Sequence, residues 1–446
     1  MKNIVRFFLL SGMLVVASAC STLLDEIPDR KLAAPRSMKA LRAMLDEDFA
    51  INGSANGLGN ASADDYYLTE EDYAAIGLNQ RNLYTWQDDI ASEDSYMVMY
   101  RKINIANIVL EAIAELVEGT ETQKSEIRGE ALFVRAHTLL ALTGIYTKQY
   151  DPMTADDELG LILRYSSDFN IASERSTLEE TYNFIERDLL ESVERLPAQS
   201  AHVFRPNKLV ANALLARFYL YKQNYEIAEK YADNVLDTHS ELMDYNDLDS
   251  TLRYPIPAFN KEILYQTHGA TGFSFSARAK IDTLLVERYE KNDLRRSIFF
   301  FTNVDGSKRF KGSYFGGEQM FTGLALDEVY LTKAECSVRL GKFEEAVALM
   351  NRFLIKRYAK ESFTELVLDE KNEVLNFILT ERRKQLLMRE LRWQDIKRLN
   401  TDERYKRNLE RRIGSDEWSI ESSSNRFALP LPQSVIDIAG VEQNPL

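Results

Sequence analysis

Soft metal ligands are scarce in this chain. Its 446 residues hold two cysteines and four histidines, the latter at 137, 202, 239 and 268, with no CxxC, HxxxH or HxH spacing that would gather ligands round one ion. No metal, haem or other cofactor is expected. Positive charge is also in deficit, since 55 Lys and Arg stand against 69 Asp and Glu, a net charge of −14. That balance disfavours counterion-release binding to nucleic acid or anionic lipid. Beyond the N-terminus no run reaches the ~18 apolar residues of a transmembrane helix. Nucleophile elbows and Walker A loops are missing, and Gly57-Leu58-Gly59-Asn60-Ala61-Ser62 lacks the third glycine and the preceding strand of a dinucleotide loop. What is present is ordinary globular usage, 45% apolar and 28% charged residues, in a chain long enough for a large core.

The N-terminus reads as an export address. Lys2 and Arg6 precede a mostly apolar stretch from Phe7 to Ala19, and Ala17-Ser18-Ala19 leads into Cys20 as in the lipobox of bacterial lipoproteins. Residues 1–19 are expected to be removed and Cys20 acylated. Residues 20–36, with Pro28 and Pro35, read as an extended tether, and 37–446 as a single domain. Lipidation of Cys20 leaves Cys336 alone, so no intramolecular disulfide is expected. Cys336 lies in an apolar helical pattern and reads as inert core.

Helical periodicity dominates the rest. It predicts helices over about 95–117, 121–147, 176–196, 207–222, 225–238, 324–340, 343–357 and 369–399. Ala216, Tyr225, Ala228 and Leu236 recur at a constant offset of 118 as Ala334, Phe343, Ala346 and Leu354. In both copies a small Ala admits a close helix crossing and an aromatic opens the second helix, the grammar of a tetratricopeptide repeat. Between the helices, Lys222-Gln223-Asn224 and Leu340-Gly341-Lys342 are the turns, with Asn and Gly suited to a left-handed stop. The stretch 250–322, rich in Gly, Pro and aromatics, reads as a loop-bearing insert with short β segments such as Glu262–Tyr265 and Ser297–Thr302. The fold class is thus mainly α, with helix pairs forming a scaffold.

Chemistry-bearing clusters are few. His137 lies in an apolar helix and reads as packed core. The stretch from Glu381-Arg382-Arg383-Lys384 to Arg398 interleaves Glu381, Glu390 and Asp395 with its basic residues, which predicts ion-paired helical faces. Sugar rings stack on aromatic planes while carboxylates and amides take their hydroxyls. Two loop neighbourhoods suit that: Asp64, Asp65, Tyr66 and Tyr67 with Tyr84 and Trp86 downstream, and the insert around Phe273, Phe275, Tyr314 and Phe315. Covering the edge of the helical core is the competing role for these aromatics.

Several separated segments together resemble the SusD/RagB family, the surface nutrient-binding lipoproteins of Bacteroidetes. They are Leu24-Asp25-Glu26-Ile27-Pro28-Asp29, Tyr100 to Asn107 ("Y-x-x-I-x-x-A-N"), Glu130 to Ala136 ("E-A-x-F-L-R-A"), Ala213 to Tyr221, Glu381-Arg382-Arg383, Arg392-Trp393, Asp395 to Arg398, Leu429-Pro430-Leu431-Pro432 and Gln443-Asn444-Pro445. Gln385, Arg389 and Glu390 depart from the Glu, Glu and Gly that the family often has there. The resemblance implies a right-handed scaffold of tetratricopeptide-like pairs with a variable loop-rich face. It implies a surface-exposed, non-catalytic lipoprotein of the outer membrane that captures a glycan or oligosaccharide and, as a lid, delivers it to a SusC-like TonB-dependent transporter. Peptide binding on the same scaffold, or a helical-toroid glycoside hydrolase, are the alternatives. Only neighbourhoods carry over for the ligand, Asp64 to Trp86 and about 270–317. The site candidates are therefore Asp64, Asp65, Tyr66, Tyr67, Trp86 and Tyr314.

Overall fold

The structure is a computed structural model that describes residues 35–53, 57–269, 273, 276–312 and 314–446. The expected signal segment, Cys20, nearly all of the tether and Phe275 lie outside the described residues. Helix α1 (Met38–Leu45) begins where the Ser37 hydroxyl accepts the Ala40 N–H at 3.1 Å. It packs on the first long pair, α2 (Glu93–Glu115) and α3 (Glu121–Tyr146). Reciprocal Thr120–Gln123 bonds cap α3, and the same device at Thr177 and Glu180 opens α4 (Leu178–Arg195). Gly129 lets α3 meet the end of α4, because a Cβ there would stand 2.9 Å from Arg195 Cβ.

The two similar segments form the expected pairs, α5 (Lys208–Tyr221) with α6 (Tyr225–Leu236), and α7 (Leu326–Arg339) with α8 (Phe343–Leu354). Ala216, Ala228, Ala334 and Ala346 are all buried at their crossings. The pairs stack through α6 and α7, where Glu229 accepts the Ser337 hydroxyl at 2.7 Å. One turn differs from expectation. Gly341 takes the left-handed conformation (φ 85°), but in the first pair Gln223 does so (φ 58°), because the Asn224 side chain caps α6 by accepting the Ile227 N–H.

The single helix expected over 369–399 is two, α9 (Lys371–Gln385) and α10 (Arg392–Leu399). Met388 (φ 59°) and Glu390 (φ 63°) reverse the chain between them. The Glu390 carboxylate then accepts the Gly59 N–H at 3.0 Å, at the start of the short Leu58–Ser62 helix. The ion-paired faces expected here are present and buried. Arg398 grips Glu335 of α7 at 2.6 and 2.8 Å, Arg382 pairs with Asp395 at 2.9 Å, and Arg389 with Asp327 at 2.9 Å. Arg135–Asp188 and Arg217–Glu328 join other helices in the same way, at 2.7 Å each. Stripping one partner from such a buried pair costs ~3–5 kcal/mol, since the other charge is left unsolvated.

The insert is built of two-stranded antiparallel ladders. Phe300–Thr302 pairs with Lys308–Phe310 in the register Phe300↔Phe310, and Ile263–Tyr265 pairs with Leu324–Ala325. Ile281, Tyr289, Phe299, Phe310 and Phe321 make a second hydrophobic cluster there, which also takes in Tyr66, Tyr84 and Tyr314. A hairpin the sequence did not announce, Leu409–Ile413 with Asp416–Ile420, turns at Gly414 (φ 59°). Helix α11 (Gln433–Ala439) ends the chain's regular structure, and Asn444 beyond it donates to Tyr146 O at the end of α3 and to Leu429 O. His137 and Cys336 are buried, the His137 ring lying nearly parallel to Phe133. Among the described residues no helix is long and apolar enough to cross a membrane.

Candidate functional site

The six residues singled out in the sequence do not form an open ligand surface. Trp86 is 3% exposed in a left-handed turn (φ 54°), its indole N–H donates to Ser62 O at 3.0 Å, and the Arg411 guanidinium lies over its ring. Tyr66 packs 5.4 Å from Tyr84 and donates to Ala61 O. Tyr314 is 1% exposed, donates to Glu262 at 2.6 Å and has the Arg389 guanidinium 4.1 Å from its ring centre. Tyr67 alone of the aromatics is half-buried. Asp64 accepts Arg392 at 2.7 and 3.0 Å and also pairs with Arg407, while Asp65 accepts Arg383 at 3.0 Å. Burial works against ionisation of both. The Arg392, Arg383 and Arg407 guanidinia nonetheless hold the Asp64 carboxyl well below the usual range, while burial leaves that of Asp65 raised. Asp64, Asp65, Tyr66, Trp86 and Tyr314 are packing and ion-pair elements. Stacking of a sugar on Trp86 would require the surrounding core to open.

An open cleft of about 1020 Å³ lies elsewhere, between the N-terminal turns of α2, the 164–173 loop, the Asp48–Ile51 turn and α11. Its geometry begins with helical spacing. Met97, Tyr100, Arg101 and Asn104 recur at three- and four-residue intervals and so share one face of α2. Tyr100 is held in place, with its ring stacked on Tyr96 at 4.4 Å and its hydroxyl donating to Ile162 O at 2.9 Å. Burial pushes the Tyr100 hydroxyl up to about 12, so it remains a neutral donor.

The opposing loop is pinned. Arg164 donates to Ile171 O at 2.7 Å, Ser173 Oγ at 3.2 Å and Asp168 O at 2.5 Å. Asn107 donates to Arg164 O and Ser166 O, and Glu111 accepts the Ser166 hydroxyl and the Ser167 N–H, all from α2. The loop thereby presents Phe169, 83% exposed, at the rim. Phe49 and Met97, each about two-thirds exposed, and Ile438 on α11 add apolar rim. Asp94, Arg101, Asn104 and Gln319 supply charged and amide groups. Asp94 is the one carboxylate lining this cleft among the described residues. Nor do those residues include a group of three or more His, Cys, Asp or Glu able to hold a metal.

None of the six sequence candidates lines the cleft. Signals for the residues that do were present. Phe169 follows Ser166-Ser167-Asp168 and precedes Asn170, an aromatic in a polar loop, and Tyr100 to Asn104 sit inside the "Y-x-x-I-x-x-A-N" segment.

Comparison with known proteins places the chain. Residues 24–220 match the family model described as "Starch-binding associating with outer membrane", and residues 301–446 match the SusD family model. Solved structures of the same fold include a SusD superfamily protein from Bacteroides thetaiotaomicron, 20% identical with a TM-score of 0.74 over 92% of this chain and 100% of that one. Another, from Bacteroides vulgatus, is 21% identical with a TM-score of 0.75 over 92% and 99%. A laminarin-binding SusD-like protein is 16% identical with a TM-score of 0.68 over 92% and 100%. No curated protein matches the sequence. With one family model covering the N-terminal helices, a second covering the C-terminal ones, and the helical architecture common to all these structures, the chain belongs to the SusD/RagB family.

Proposed function

We propose that this protein is a non-catalytic binding lipoprotein that captures an oligosaccharide in the cleft between α2, the 164–173 loop and α11, and delivers it to a TonB-dependent outer-membrane transporter over which it closes as a lid. The observation that carries the reading is the mixture of surfaces in one cleft. Phe49, Tyr100 and Phe169 offer ring faces and edges to sugar C–H groups, while Arg101, Asn104 and Gln319 offer hydrogen bonds to hydroxyls. Hydrolysis by the two-carboxylate route needs a facing pair ~5–10 Å apart. Among the described residues the cleft lining offers Asp94 by itself, and Asp64 and Asp65 are engaged by arginines. Starch binding in the matching family model and laminarin binding in a structural neighbour support a glycan as ligand. The transporter partnership, surface exposure and lipid on Cys20 rest on the family resemblance and the Ala17-Ser18-Ala19-Cys20 signal.

Calorimetric titration with laminarin- and starch-derived oligosaccharides tests the glycan reading. Saturable binding without release of new reducing ends is expected, weakened ~tenfold or more by Phe169→Ala and by Arg101→Ala at unchanged melting temperature. Affinity that survives both substitutions removes the cleft from the site. Binding of peptides in place of any glycan overturns the ligand class.

A further inference from the structure

A second hollow, of about 450 Å³, lies between α9, α10 and the Thr283–Glu287 turn, and it shares no lining residue with the cleft. Its charge is unusual for this molecule. In a chain of net charge −14, its lining contains four arginines, Arg288, Arg383, Arg392 and Arg407, and among the described residues no aspartate or glutamate. The compensating carboxylates are not part of that lining. Asp64 takes Arg392 and Arg407, while Asp65 and Asp282 take Arg383 at 3.0 and 3.2 Å. Three carboxylates thus face four guanidinium groups, and Arg288, exposed on the rim, has no ion pair among the described residues.

Arg407 is the second available cation. Its side chain is 41% exposed and its one ion-pair partner among the described residues is Asp64, which Arg392 already grips through both oxygens. Burial, reinforced by repulsion from Arg392 and Arg383 and opposed by Asp64, lowers its proton affinity. Guanidinium forks match the planar or tetrahedral oxygens of an anion, and an arriving negative charge would relieve crowding among these cations. Beside them Leu379 and half-buried Tyr405 provide apolar and aromatic surface.

We propose that this hollow binds an oxyanion, the carboxylate or sulfate of an acidic sugar, through Arg288 and Arg407, with the sugar ring against Leu379 and Tyr405. The inference does not depend on the cleft, because the two sites are built from different residues.

Titration of the full mature protein with sodium sulfate, with glucuronate and with a uronate disaccharide, at fixed ionic strength and with chloride as reference, tests it. Saturable binding and a raised melting temperature are expected, with affinity reduced ~fivefold or more by Arg288→Ala and by Arg407→Gln. Arg288 is exposed and has no ion pair among the described residues, so its variant is expected to fold and decides the matter if Arg407→Gln does not. Tighter binding of the disaccharide than of free sulfate or glucuronate supports a sugar-borne anion, and equal affinity supports recognition of the oxyanion alone. No saturable binding by any probe, or binding that persists in Arg288→Ala, overturns the proposal. Loss of anion binding in Arg101→Ala would move the anion to the cleft and overturn it equally.

Discussion

Trp86 shows how a single side chain can look like a ligand platform and serve as packing. Polar neighbours in sequence, Gln87, Asp88 and Asp89, suggest a loop, but the left-handed backbone turns the indole inward to Ser62 O. Trp86→Ala should therefore cost ~3–5 kcal/mol through the cavity it leaves, measured as a lowered denaturation midpoint. Lys102 carries a different signature. It is 1% exposed, lines a small cavity of about 70 Å³ beside His137, and burial alone pulls its ammonium down to about 7. Between pH 7 and 10.5 the unfolded chain keeps a proton that the folded chain releases, so Lys102 makes stability rise with pH across that window. Replacement by methionine should flatten that rise and stabilise the protein at pH 7 by up to ~4 kcal/mol, read from urea unfolding at pH 6, 7 and 8.5. The inward turn at Trp86 and the desolvation at Lys102 are set by distant segments, so neither was legible in the local sequence.

Among elements, helices such as α4, α6 and α8 were legible because each repeats an apolar residue every three or four positions on one buried face, while α5, buried without a break from Ala213 to Tyr221, was legible as a long apolar run. Ala216 and Ala334 also fixed the pairing of α5 with α6 and of α7 with α8, since a residue that small marks a close crossing. The break between α9 and α10 was not legible. Leu387, Met388, Arg389, Glu390 and Leu391 are good helix formers with no glycine or proline among them, and the reversal is supported by the bonds Glu390 makes to the distant Gly59 and Asn60. Leu409–Ile413 was missed for a related reason, as Glu410, Arg411 and Arg412 obscure its alternation and the Arg411 side chain is nevertheless buried. The two repeat turns suggest a direct comparison. Gln223 bears the left-handed strain that Gly341 avoids, so Gln223→Gly should raise stability by ~0.5–1 kcal/mol, seen as a higher melting temperature.

For the whole molecule, the chain's last residues hold together parts remote in sequence. Asn444 satisfies Tyr146 O, at the end of the central helix α3, and Leu429 O, while Gln443 exchanges two hydrogen bonds with the Leu431 backbone. These contacts fasten the two ends of the segment that carries α11, the wall of the cleft. Asn444→Ala should cost ~1–3 kcal/mol by leaving buried carbonyls unpaired, and should weaken oligosaccharide binding even though Asn444 lines no part of the cleft. A melting curve beside a titration separates those effects. The same position of α11 bears on how the protein is handled. Ile438, on the cleft rim, lies only eight residues before Leu446. A bulky group attached at Leu446, such as an affinity tag or the link to a sensor chip, is therefore expected to crowd the mouth of the cleft and compete with the sugar, read as weaker oligosaccharide binding than in the protein without it.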